Sequence, residues 1–460
     1  MKDTKAIRTA LDYVPSYLAF QQAYMPFVGA QVAVRHDGDL LLSHAVGFAD
    51  LAAKTPLTGD HLFRIASHSK TFTAVACMQL VEQGKLRLDD EARTHVPEVA
   101  ETKMGRATVR ELLAHGSGMI RDGDNCDFWA LGRPFPDRAE LLRSIRDDGK
   151  VLEPNEHFKY SNIGYSLLGL IIEGASSVPY REYVAANIVD RLGLANTGPE
   201  LDFGRIDDYA KGYSSRVHGP ERVEIEHIDT FAESAATGFY STAAEVTAYF
   251  QAHLDGDDRI LTDDSKRRMR QVQWTISDEA MYGLGLSITK INGRTYHGHS
   301  GGYPGHITMS KLDLERRLSI SVFTNASDGP AATLCTAILR LIDMALTDEA
   351  LTAPRKPKEL TPFEGRFASL GGLVDVVNLG GRLYLLNPAL ENPAAEAIEM
   401  EVISDTELKA VGDKGFGGYG EAMRYTFARN GKVTSIRGAT GATIVPAESF
   451  TLPKKVTRPA

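Results

Sequence analysis

The run Phe72-Thr73-Ala74-Val75-Ala76-Cys77-Met78-Gln79-Leu80-Val81 is entered through Ser67-His68-Ser69-Lys70-Thr71 and meets no Gly or Pro before Gly84. Apolar residues occur on nearly every side of such a helix, and a helix of that kind has to be enclosed by the rest of the chain. Gly84 suits its C-cap. With 460 residues the chain has the length for a large interior, and two domains are expected.

Ser67 falls in the first turn of this helix, where unpaired N–H groups and the positive dipole end favour a developing alkoxide. Lys70 lies one turn later on the same face, at a Cβ separation of about 5–6 Å. That spacing suits a serine nucleophile and a lysine that takes its proton. The plain alternative is an N-cap serine followed by a solvated lysine. The same spacing recurs in Ser287-Ile288-Thr289-Lys290, but Leu284, Leu286 and Ile288 alternate there as in a strand. A strand turns positions i and i+3 to opposite faces, so only the helical copy can pair its side chains.

The formal net charge is −9 and no basic run occurs, which argues against a nucleic-acid surface and leaves small molecules or short peptides as partners. Cys77, Cys126 and Cys335 are odd in number and far apart, unlike a disulfide framework or a metal site. No metal or cofactor is expected. The first residues lack the apolar core of a signal peptide, and no run reaches the roughly 18 apolar residues of a membrane span. A cytoplasmic protein without membrane contact is the expectation, its oligomeric state left open.

Along the chain, residues 5–25 suit an amphipathic helix, and an Asp37-Gly38 turn between two apolar runs reads as a hairpin. From about 60 to 255 the pattern is mainly helical; from Tyr282 to Asn325 it is strand-like, and a helix follows over 330–347. The sheet is thus assembled from both ends of a domain spanning 1–350. A proline-rich, charged linker over 351–360 leads into a module over 361–460, whose short alternating runs and Gly or Asn-Gly turns read as antiparallel β, barrel or sandwich.

Two further stretches could complete a site. In Tyr160-Ser161-Asn162 the first and third residues point the same way if extended, placing a phenol for proton traffic and a carboxamide for a substrate carbonyl. Their ordinary readings are a half-buried aromatic and a helix N-cap. In His299-Ser300-Gly301-Gly302, small residues let a substrate backbone lie along a strand, and the Gly302 N–H could pair with that of Ser67 as an oxyanion hole. The ordinary reading is a glycine-rich turn.

Ser67-x-x-Lys70, Tyr160-x-Asn162 and His299-Ser300-Gly301, in this order, resemble the motifs of the serine β-lactamase and penicillin-binding-protein superfamily. The Tyr-x-Asn and His-x-Gly forms look like its class C branch, which includes DD-carboxypeptidases, D-aminopeptidases, D-amino-acid amidases and carboxylesterases. The resemblance covers about residues 20–345. It implies an α+β fold, an antiparallel sheet flanked by helices with an all-helical region, here followed by the small β domain. It also implies an acyl-enzyme on Ser67, with Lys70 and Tyr160 handling protons and Asn162, His299, Ser300, Gly301 and Gly302 holding substrate. His299 replaces a lysine, a weaker fixed charge for a substrate carboxylate, and His68 and His306 are departures expected to place imidazoles near the cleft.

Gly298-His299-Ser300-Gly301-Gly302 also matches the Gly-x-Ser-x-Gly elbow of α/β-hydrolases, but no acid separates Ser300 from His306 and no helix follows. A metal on His297, His299 and His306 lacks a carboxylate or thiol to complete it. Asp122, Asp124, Asp127 and Trp129 read as a loop roofing the cleft, whose acids suit a substrate amine. The expected activity is cleavage of an amide in a D-residue peptide or amide, with esterase or acyl transfer on the same fold as alternatives and a silent binding protein as a different class.

Overall fold

The computed structural model describes residues 2–412, 420–438 and 441–452. The chain divides into two compact units, Phe27–Cys335 and a second in which residues 1–26 join 336–460. This division differs from the expected boundary at 351–360. The N-terminal segment and most of the helix near 340 group with the β module.

In the first unit the sheet has nine antiparallel strands. They are β1 (Gly29–His36), β2 (Asp39–Asp50), β3 (Thr55–Pro56), β4 (Trp274–Thr275), β5 (Ala280–Tyr282), β6 (Ser287–Ile291), β7 (Arg294–Tyr303), β8 (His306–Asp313) and β9 (Leu318–Thr324), in the order β3-β2-β1-β9-β8-β7-β6-β5-β4. The two ends of the unit meet where β1 pairs with β9, Val32 opposite Val322. Asp37 and Gly38 both adopt positive φ (52° and 90°), the twist that a two-residue hairpin requires. Ser287 and Lys290 do lie on a strand, paired with Gly298 and Thr295.

The apolar helix, α2 (Ser69–Glu82), is buried from Ser69 to Leu80. A 3₁₀ turn over Ala66–His68 precedes it, and Gly84 at φ +69° follows it, with the Lys85 N–H returning to the Leu80 carbonyl. Phe72 stacks between Phe239 and Tyr249, at centroid distances of 4.3 and 3.8 Å. A second apolar helix, α3 (Asn162–Ser176), packs against α2, and α4 (Ala243–Gln251) lies on β1 and β9. The turn that carries Ser67 is thereby trapped between the helical core and the sheet.

The second unit contains α1 (Lys2–Tyr24) and the greater part of α5 (Ala331–Leu346). It also holds a closed barrel of eight antiparallel strands: β10 (Gly365–Ser369), β11 (Gly372–Leu379), β12 (Arg382–Leu386), β13 (Ile398–Ser404), β14 (Glu407–Ala410), β15 (Ala422–Phe427), β16 (Val433–Arg437) and β17 (Thr443–Pro446). Phe367, Leu383, Met400, Leu408, Tyr425 and Ile436 belong to its apolar core. A buried polar knot ties α1 to it. Asp375 accepts two bonds from Arg366, both of 2.8 Å, and one of 2.6 Å from the Tyr13 hydroxyl. Glu399 accepts the Leu351 and Thr352 N–H groups at 2.9 and 2.7 Å, so the expected linker begins anchored to the barrel. Among the described residues no helix is long and apolar enough to cross a membrane.

Candidate active site

The three stretches separated by nearly a hundred residues or more meet at Ser67. The turn that presents it is unusual, because Ala66 adopts φ +48°, a conformation that few non-glycine residues take. It is pinned by the Ser69 hydroxyl, which donates to the Ala66 carbonyl at 2.5 Å and accepts the Phe239 N–H at 3.0 Å. Ser67 is half-buried and so stays within reach of a ligand, while Lys70 is completely enclosed.

Lys70 Nζ lies 3.1 Å from Ser67 Oγ, 2.7 Å from Asn162 Oδ1 and 2.8 Å from the Ala236 carbonyl. Tyr160 completes the group, its hydroxyl donating to Ser67 Oγ at 2.9 Å. Removing Lys70 from water disfavours its charged form and lowers its pKa to about 7, with Glu233 and Asp122 opposing and Arg121 assisting. Burial moves the Tyr160 phenol the other way, well above its usual range, so it stays protonated and able to donate. A serine thus sits between an amine that is half neutral near pH 7 and a neutral phenol.

Asn162 is the first residue of α3, but its cap is Ser161, whose hydroxyl accepts the Gly164 N–H at 2.8 Å. The Asn162 carboxamide faces inward, its oxygen on Lys70 and its nitrogen donating to Asp122 Oδ1 at 2.6 Å. Expected as a substrate contact, it is engaged on both sides by the protein. Tyr160 rests on the buried His115 ring, at a centroid distance of 4.2 Å.

On β7 the alternation places Ser300 and Gly302 at the surface and buries His299 and Gly301. An added Cβ at Gly301 would come 2.2 Å from the Ile65 carbonyl oxygen and 2.3 Å from Thr308 Oγ1, so only a hydrogen lets this strand pass the Ser67 turn. At Gly302 the same atom would meet only Ile307 Cδ1, at 3.8 Å, leaving that face open. His299 is within the site's aromatic surroundings, 6.5 Å between centroids from Tyr160, but both of its ring nitrogens are occupied. Nδ1 is 2.6 Å from the Ser300 carbonyl and Nε2 is 3.1 Å from the Tyr282 hydroxyl. Burial holds its pKa down to about 3, so it supplies no positive charge.

Two expectations are corrected. His68 is enclosed beside Ser310 and the Ile65 carbonyl, and His306 is enclosed beside Phe63 and His227, so neither imidazole lines an open cleft. Asp122 is nine-tenths buried and already bonded to Asn162, Trp129 and Arg121, so it does not offer itself to a substrate amine. Among the described residues no three His, Cys, Asp or Glu side chains are grouped to hold a metal, and His306 lies apart from His297 and His299 along the turn into β8. Sequence reasoning missed the Ala236 carbonyl, which carries no side-chain signal. It also missed Glu233, fully buried with both carboxylate oxygens unpartnered, where burial raises the pKa to about 8.

The family model described as Beta-lactamase matches residues 19–343, well over half of the chain. The chain belongs to the beta-lactamase family. Its fold and the superfamily of serine β-lactamases and penicillin-binding proteins follow from that membership, and with them the class of serine hydrolases. Penicillin-binding protein 4* of Bacillus subtilis (strain 168) is 28% identical over 343 residues, 71% of this chain and 74% of that protein. The D-amino acid amidase of Ochrobactrum anthropi SV3, solved with D-phenylalanine, is 25% identical with a TM-score of 0.63, over 73% of this chain and 99% of that one. The octameric penicillin-binding protein homologue from Pyrococcus abyssi is 24% identical with a TM-score of 0.64, and its fold covers 94% of this chain and 99% of its own.

Proposed function

We propose that the protein cleaves an amide bond beside a D-configured residue, through an ester formed on Ser67. The observation that carries this reading is the triangle in which Ser67 Oγ lies 3.1 Å from Lys70 Nζ and 2.9 Å from the Tyr160 hydroxyl. Neutral Lys70 takes the Ser67 proton as Oγ attacks the substrate carbonyl. The tetrahedral intermediate expels the amine, which receives a proton from the Tyr160 phenol, and the lysine's extra proton restores the phenol. Water then adds to the ester by the reverse relay, freeing the acid and Ser67. The exposed face at Ser300 and Gly302 is the surface along which the substrate backbone lies. The D-configuration rests on the likeness to the D-amino acid amidase.

Short D- and L-amino-acid amides assayed beside p-nitrophenyl esters test this reading. D-amides are expected to turn over, with a mass shift on the Ser67 peptide after trapping with a fluorophosphonate or penicillin-like probe. Ser67→Ala abolishes both signals. Turnover of esters alone would replace the amidase by a carboxylesterase, and a chain that no acylating probe modifies at Ser67 would be a binding protein.

A further inference from the structure

We propose that Asp122 is a positioning residue for the base, acting through the Asn162 carboxamide; the proposal rests on the acyl-enzyme reading above. A carboxamide has a donor end and an acceptor end, and Asn162 stands between an amine that donates to it and a carboxylate that accepts from it. Its oxygen accepts from Lys70 at 2.7 Å and its nitrogen donates to Asp122 Oδ1 at 2.6 Å. The opposite rotamer would set the NH₂ against the Lys70 amine and the oxygen against the Asp122 carboxylate, a donor on a donor and an acceptor on an acceptor. Asp122 therefore excludes that rotamer and keeps the acceptor on Lys70.

Asp122 is itself fixed from two further sides. Trp129 Nε1 donates to the same Oδ1 at 3.0 Å, and Arg121 Nε lies 3.0 Å from Oδ2. The segment that carries it is docked on the start of α3. The Ile120 carbonyl accepts the Ser161 hydroxyl at 2.6 Å, and the Arg121 carbonyl accepts the N–H groups of Asn162 and Ile163 at 2.9 and 3.1 Å. One short loop thus grips Asn162 by its backbone and by its side chain. A carboxylate nine-tenths buried and given three partners, one of them a carboxamide whose other end is the proposed base, is arranged to orient that base.

The groups that face Lys70 are Ser67 on its own turn, Tyr160 and Asn162 at the head of α3, and Tyr165 within it. Asp122, Arg121, Glu233, His115 and His299 act on it from the surrounding loops and β7. Asp122→Asn keeps an acceptor for Asn162 and removes the charge, whereas Asp122→Ala removes both. The experiment is the rate of Ser67 modification by a fluorophosphonate from pH 5.5 to 9, with full-length protein and site assignment by mass spectrometry.

Asp122→Ala is expected to slow modification at least tenfold at pH 8. Asp122→Asn should stay within about threefold of the wild type, with its acid limb moved to lower pH because a negative neighbour of Lys70 is gone. A purely structural role would lower the melting temperature of both variants and slow both alike. Asp122→Ala reacting within twofold of the wild type, or Asp122→Asn as slow as Asp122→Ala, overturns the proposal. If Asp122→Ala does not fold, Trp129→Phe, which keeps the charge of Asp122 and removes one of the bonds that hold its Oδ1, is expected to slow modification with the limb in place, and no slowing overturns the proposal. A wild-type chain that is never modified at Ser67 overturns the acyl-enzyme reading itself, an outcome distinct from those two.

Discussion

Lys70 can act as a base only in its neutral form, and the geometry sets how much of that form exists. With a pKa of about 7 the lysine is half neutral at pH 7, about a tenth neutral at pH 6 and about a hundredth at pH 5. A lysine at its ordinary 10.5 would be only about 0.03% neutral at pH 7, a difference of about a thousandfold in competent molecules. The rate at which a fluorophosphonate modifies Ser67 is therefore expected to rise about tenfold per pH unit below 6.5 and to level off above 8. Lys70→Arg, which fixes the charge, should reduce that rate by about a thousandfold at pH 7 while the protein stays folded. A rate that is flat from pH 5.5 to 9, or an inflection above pH 9.5, would refute the reasoning. The first would mean that Lys70 does not take the proton, and the second that its enclosure fails to shift it.

Gly301→Ala and Gly302→Ala should separate two adjacent glycines, since the first forces a methyl against the Ile65 carbonyl and the second meets only Ile307 Cδ1 at 3.8 Å. Gly301→Ala is expected to cut Ser67 modification at least tenfold and lower the melting temperature by several degrees, and Gly302→Ala to leave the melting temperature unchanged while altering KM for D-amides. Glu233, with a folded pKa of about 8 above its ordinary 4.5, contributes stability that is fully present below pH 4.5 and is lost as pH rises through 8, at up to about 1.4 kcal/mol per pH unit. Thermal denaturation should show Glu233→Gln gaining on the wild type from pH 5 to 8.5, while its acid limb for Ser67 modification should stay in place, because Glu233 is already neutral below pH 7. In the second unit, Asp375→Ala strands Arg366 and the Tyr13 hydroxyl, and denaturant unfolding of the full chain should lose about 3 kcal/mol in the transition that includes the barrel.

What could be read from the sequence was carried by side chains in strong periodic context. The helix apolar on nearly every side had to be interior, and its burial is what makes Lys70 unusual. The strand context of Ser287 and Lys290 removed a decoy with the same spacing. The features that escaped are of another kind. The Ala236 carbonyl is backbone and leaves no mark in the sequence, and Asp122 looked available for a substrate because its bond to Asn162, 40 residues on, is one that only the fold makes. Ser161, not Asn162, caps α3, since a hydroxyl one residue earlier reaches the Gly164 N–H better placed. The choice between sandwich and barrel depends on whether the last strand returns to the first, which β17 does by pairing with β10 at Ala368 and Val445. Grouping α1 with that barrel turns on Tyr13 and Asp375, 362 residues apart, a separation no local pattern reports.

Closure of β10 through β17 into a ring has a consequence for how this unit can meet other molecules. Each strand already has a neighbour on either side, so among the described residues the ring has no edge strand onto which an incoming extended segment could zip. Recognition by the barrel wall must then be written in the residues that project outward from it, and can be rewritten one surface substitution at a time without disturbing the closed hoop beneath.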